Sequence, residues 1–169
     1  MNAPLVLALG ASDCEALRGG WLGQPANALS SLAYVAAGAF LLRRGAPTGP
    51  ALAVAAAGVG SLLYHGPMPP GAELAHDGSL IALAGVGLVV AWRRRRLPRP
   101  PARALAAFGS AVVVNALTRT GAPLCRPEAV LQGHAVWHAL TAVALAAWFV
   151  RWAPARPDAE PEPELAAPS

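Results

Sequence analysis

The sequence predicts an all-α protein: a polytopic transmembrane helix bundle of about five spans, N-terminus outside and C-terminus cytoplasmic. Three observations carry that prediction. Hydrophobic residues make up 55% of the 169 residues and charged residues only 13%, whereas ordinary soluble domains carry about 25% charged residues; the mean hydropathy is +0.44. The apolar residues fall into helix-length runs separated by short breaks rich in Pro, Gly and Arg. The arginines cluster beside those runs, which is the pattern of membrane topology. The alternative that composition leaves is a very Ala-rich soluble helical protein, and the spacing of the charges tells against it.

Each span follows from the residues that bound it. The first covers about 27–42 and is closed by Arg43-Arg44. The second covers about 50–65, with a Pro/Gly-rich turn over 67–71 after it. The third covers about 73–92 and ends in four consecutive arginines. The fourth covers about 102–117, and the fifth about 128–150, ending at Arg151-Trp152. Residues 1–26 form an external N-terminal segment. Its opening apolar run is short and lacks a positive n-region, so it reads as uncleaved and lying near the membrane surface. Residues 27–152 form the bundle. Residues 153–169 are Pro, Glu and Ala with nothing to build a core, and read as a disordered cytoplasmic tail. No 20–50-residue repeat is present. The length suits one domain and leaves no room for a separate soluble catalytic domain.

All 13 basic residues are Arg, and Ala, Gly and Pro abound, as in a GC-rich bacterial coding sequence. The net charge of +4 does not point to nucleic acid, because the arginines flank apolar runs instead of forming a patch. Ten arginines, at 43, 44, 93–96, 99, 103, 151 and 156, fall on one side of the alternating spans. Only Arg18, Arg119 and Arg126 fall on the other. The positive-inside rule makes the arginine-rich side cytoplasmic, so the expected location is a multi-pass cell (inner) membrane. Cys14 and Cys125 both fall on the external side, where an oxidising exterior permits a disulfide; two unrelated thiols are the alternative.

The chemistry is concentrated in Ser61, His65, Asp77, His134 and His138. Ser-x3-His and His-x3-His each put two side chains one helical turn apart on one face. The alternating spans bring all five to the same, external leaflet, although they come from three different helices. Ionisable groups inside apolar spans are costly and mark function. Three imidazoles suffice to hold a catalytic zinc with a fourth position open. Taken singly, His65 also reads as an interfacial hydrogen-bonded residue, and Ser61, beside Gly58 and Gly60, as a helix-packing serine. Asp77 needs a partner wherever it points. His76, about 100° away on a helix, is its rival as a ligand or outer partner.

The order Ser-x3-His, an Asp about a dozen residues on, and a late His-x3-His resembles the alkaline ceramidases, within the CREST superfamily of membrane hydrolases that includes the adiponectin-receptor relatives. Asn27-Ala28-Leu29-Ser30-Ser31 is similar to the Asn-x-x-Ser region opening that family's first span, and Cys14-Glu15 to its Cys-Glu segment. The resemblance spans roughly 12–151. It implies a Zn2+ held by His65, His134 and His138, with Ser61 binding the oxyanion or positioning the metal water. Asp77 would be the general base or orient that water. It also implies a disulfide from Cys14 to the late external loop, and a membrane lipid amide, ceramide-like, as substrate, so that the partners are the bilayer and its lipids, with no obligate protein partner. Two departures stand out. The family usually has seven spans, and its acidic calcium cluster is only partly present: Asp13 and Glu15 remain, with Ser12 and Leu17 where other ligands belong, so no calcium site is assigned. The alternatives are a non-catalytic metal-binding receptor or sensor of the same fold and a transporter-like bundle; five spans without a broken-helix pair argue against the transporter.

Overall fold

Proline, glycine and arginine punctuate the chain at the places where helices begin and end. The computed structural model describes residues 13–95 and 99–153, and among these it contains six α-helices, a closing 3₁₀ turn and no strand. They are α1 (Pro25–Ser30), α2 (Leu32–Arg43), α3 (Thr48–His65), α4 (Ala72–Arg94), α5 (Ala102–Thr118) and α6 (Gly133–Phe149), followed by the 3₁₀ turn Val150–Trp152. The surface-lying start expected for residues 1–12, Arg96, and the tail beyond Ala153 lie outside the described residues.

Pro25 opens α1 at a position where its missing N–H costs nothing. The Glu15 carboxylate closes the exposed amides from outside the helix, accepting from Ala26 N at 2.8 Å and Asn27 N at 2.9 Å. Ser31 keeps helical dihedrals between α1 and α2, so Pro25–Arg43 is one nearly continuous run of 19 residues. It ends where Gly45 takes a φ of +71°, Gly45 N–H donates to the Leu42 carbonyl and Ala46 N–H to that of Leu41, a Schellman closure that needs glycine's left-handed freedom.

Small residues let the helices approach closely. A Cβ at Gly38 would lie 2.6 Å from the Ala51 carbonyl, joining α2 to α3; one at Gly60 would lie 2.7 Å from the Ala75 carbonyl, joining α3 to α4. A Cβ at Gly133 would overlap the Thr118 side chain, so α6 starts hard against the end of α5. Helix α6 packs on α1, α2, α3 and α5. Below the site, Tyr34, Leu41, Val54, Phe149 and Trp152 form the buried core. Helix α4 leans on α3 and turns Leu74, Ile81, Leu88 and Trp92 outward, all at least 69% exposed. An apolar stripe of that length belongs against lipid. At its far end Arg94 donates to the Trp152 carbonyl at 2.8 Å, tying α4 to the end of α6.

Among the described residues, three stretches are long and apolar enough to cross a membrane: Pro25–Arg43, Ala72–Arg94 and Gly133–Trp152, of 19, 23 and 20 residues. Five were expected. Of the other two helices, α5 is 17 residues long, and α3 is diluted by Thr48, Pro50, Ser61 and His65. The last helix also begins at Gly133, not near 128, because Gln132 turns its amide back onto the carbonyls of Arg126, Pro127 and Ala129.

Candidate metal centre

His65 is the last residue of α3, and His134 and His138 occupy the first two turns of α6. The antiparallel packing brings these ends together. One nitrogen from each of the three imidazoles lies within 4.8 Å of the others, and the ring centroids are 5.0, 5.4 and 4.5 Å apart. His65 and His138 are buried, and His134 nearly so.

A metal site needs each imidazole to keep one nitrogen free and to anchor the other. The anchors are present. His65 Nδ1 lies 2.7 Å from Gln24 Oε1, His138 Nδ1 lies 2.8 Å from Ser30 Oγ, and His134 Nδ1 lies between Asn115 Oδ1 at 3.4 Å and Asp13 Oδ1 at 3.5 Å. That leaves the three Nε2 atoms. His65 Nε2 is buried and has no hydrogen-bond partner among the described residues, which is costly unless something else takes its lone pair. The donor set and the orphaned nitrogen therefore fit a three-histidine metal site. The identity of the metal does not follow from the geometry.

Ser61 sits one turn before His65, 3% exposed, its hydroxyl 2.9 Å from Ser31 Oγ and 3.3 Å from His138 Nε2. Asp77 is placed differently. Ala75 and Ser79 pack on Gly60; position 77 lies midway between them on α4 and projects to the opposite face. Its side chain is 61% exposed and accepts from His76 Nδ1 at 2.8 Å. His76 is the one of the pair turned inward, stacked on Tyr64 at 4.8 Å and 6.2 Å from the His65 ring. Four of the five expected residues thus meet at one place, and Asp77 stands at its rim, joined to it through His76.

Sequence reasoning missed the anchors Asp13, Gln24, Ser30 and Asn115. Of these, Ser30 carried a signal in the Asn-x-x-Ser string and Asp13 in the partial acidic cluster; Gln24 and Asn115 carried none. Cys14 and Cys125 are joined by a disulfide, which holds the segment 13–24 against the loop before α6. Glu15 has both carboxylate oxygens occupied by the amides of α1, so it is a helix cap.

An apolar cleft of about 310 Å³ lies between α4, α5 and α6, lined by Leu80, Leu83, Leu105, Phe108 and Trp137 among others. Its inner end is Tyr34 and Thr141, whose hydroxyls are hydrogen-bonded to each other. Tyr34 stands edge-on to His138 at 5.7 Å. A second cleft sharing Leu83, Leu145 and Trp148 continues it along α4 toward Trp152. Comparison of the chain with protein-family models, curated proteins and solved structures finds no match.

Proposed function

We propose that the chain is a zinc-dependent integral-membrane hydrolase of a lipid amide, ceramidase-like, releasing a fatty acid and an amine from an N-acyl sphingoid base. The observation that carries it is the convergence of three anchored imidazoles beside an apolar cleft between α4, α5 and α6. An acyl chain suits that cleft, because its walls are apolar apart from Tyr34 and Thr141. In this reading the bundle crosses the membrane five times, with α3 and α5 as its two shorter spans. The arginine-rich end lies in the cytoplasm and the triad in the external leaflet.

Zinc on His65, His134 and His138 would supply a Lewis acid for the amide carbonyl and acidify a water toward neutrality. Ser61 Oγ, buried against His138, is positioned to donate to the developing oxyanion. Proton handling falls to His76 with Asp77. Asp77 accepts from His76 Nδ1, which fixes the ring with its lone pair on Nε2. His76 then takes the proton released as water adds to the carbonyl and returns it to the leaving amine as the C–N bond breaks. The balance is one water in, one fatty acid and one amine out.

A second reading, a metal-binding receptor or sensor without turnover, is favoured by the outward turn of Asp77. Fatty-acid release from N-acyl sphingoid bases of graded chain length separates the two, using zinc-loaded protein in lipid micelles. The hydrolase reading expects release by the parent. It expects a loss of about 10²–10⁴-fold in His76→Ala and Asp77→Asn with metal content unchanged. A zinc-loaded parent that releases no fatty acid at any chain length contradicts it and leaves the receptor reading.

A further inference from the structure

We infer that the N-terminal segment 13–24 is a built part of the metal centre, in which Gln24 and Asp13 act as positioning residues that set the tautomers of His65 and His134. The inference rests on reading the triad as a metal site. Gln24 is completely buried, and its amide has one workable orientation. Its Nε2 donates to the Glu15 carbonyl at 2.9 Å, so Oε1 is the atom that faces His65 Nδ1 at 2.7 Å. A carbonyl oxygen only accepts, so the proton must sit on His65 Nδ1. The lone pair then lies on Nε2, the atom that is buried without a partner.

The same logic holds at His138. Ser30 Oγ donates its one proton to the Asn27 carbonyl at 2.9 Å, so it accepts from His138 Nδ1. At His134 the acceptors are the Asp13 carboxylate and the Asn115 amide oxygen. All three rings are thereby held with Nε2 unprotonated, the form a metal takes. Two of the four anchors, Gln24 and Asp13, come from one stretch of chain that is not part of the helix bundle.

That stretch is fixed at several points. Cys14 is bonded to Cys125 and its N–H donates to Thr120 Oγ1. Ala16 N–H donates to the Pro127 carbonyl, and Gln24 N–H to that of His65. The Glu15 carboxylate holds the start of α1. The positions of Gln24 and Asp13 are therefore set by the segment and not by their own side-chain freedom.

The test pairs an acceptor-removing with an acceptor-keeping variant at each position: Gln24→Met against Gln24→Glu, and Asp13→Ala against Asp13→Asn. Zinc affinity is measured by competition with a chromophoric chelator. Helix content and the Cys14–Cys125 bond are checked in every variant. The inference expects Gln24→Met and Asp13→Ala to bind zinc about 10–100-fold more weakly, and the acceptor-keeping variants to stay close to the parent. Parental affinity in Gln24→Met, or an equal loss in Gln24→Glu, overturns it. Should Gln24→Met fail to fold, the Asp13 pair decides by the same comparison. Nitrogen NMR of ¹⁵N-histidine-labelled, metal-free protein gives a readout independent of metal. The proton is expected on Nδ1 of His65 in the parent and on both nitrogens in exchange in Gln24→Met, while a proton on Nε2 in the parent overturns the inference. A parent that shows the Nδ1 proton and yet binds no zinc sinks the metal reading alone.

Discussion

At the scale of single residues, the triad depends on which nitrogen of each imidazole is already occupied. Ser61 differs from the anchors because it faces His138 Nε2, the side left for a metal and substrate. Its substitution is expected to act on turnover more than on metal. Ser61→Ala should keep its zinc and lower kcat for fatty-acid release by about 10²–10³-fold, the range for loss of one oxyanion donor; a parental kcat would remove Ser61 from the chemistry. The His-x3-His pair was legible in the sequence because i,i+4 spacing fixes a shared face whatever else the chain does. Gln24 and Asp13 were not, because their role comes from tertiary proximity: nothing within a few residues of Gln24 announces a histidine 41 positions away. Asp77 was chosen over His76, a choice the sequence could not test for a similar reason. Adjacent positions on a helix diverge by about 100°, and only the packing of Ala75 and Ser79 on Gly60 says which one turns inward.

At the scale of helices, apolar runs closed by arginine or proline gave the elements to within about two residues, except for the start of α6 at Gly133 instead of near 128. The span over 50–65 ends at His65 as expected, and the one over 102–117 extends to Thr118. The sequence was less informative about crossing the membrane, since α3 is more polar, and α5 shorter, than the three stretches long and apolar enough to span. Contacts through glycine could be suspected but not paired. Gly60 is where α3 meets α4, and α4 carries His76 and Asp77. Gly60→Val is expected to destabilise the bundle by about 1–3 kcal/mol through overpacking, because its side chain would meet the Ala75 carbonyl at 2.7 Å. It should also lower fatty-acid release by shifting α4. Thermal unfolding in detergent checks the first effect, and an unchanged melting temperature would mean that α4 is not seated on Gly60.

At the scale of the whole molecule, the two ends of the bundle differ. One carries the triad, the disulfide and the turn over 66–71; the other carries Arg43, Arg44, Arg93, Arg94, Arg95, Arg99, Arg103 and Arg151. By the positive-inside rule this asymmetry is the basis of the proposed orientation. Reporter fusions after Arg44 and Arg151 are expected to read cytoplasmic, and fusions within 67–71 and 121–127 external. A cytoplasmic reading from either of the latter would place the triad on the wrong side for a disulfide-bonded strap.

The account as a whole rests on the three imidazoles holding a metal, and metal analysis of purified protein tests that most directly. The parent should carry about one zinc per chain. His134→Ala, isolated in the same way with its helix content and Cys14–Cys125 bond intact, should carry almost none. A parent devoid of metal after loading, or the same metal content in the parent and His134→Ala, would contradict the account.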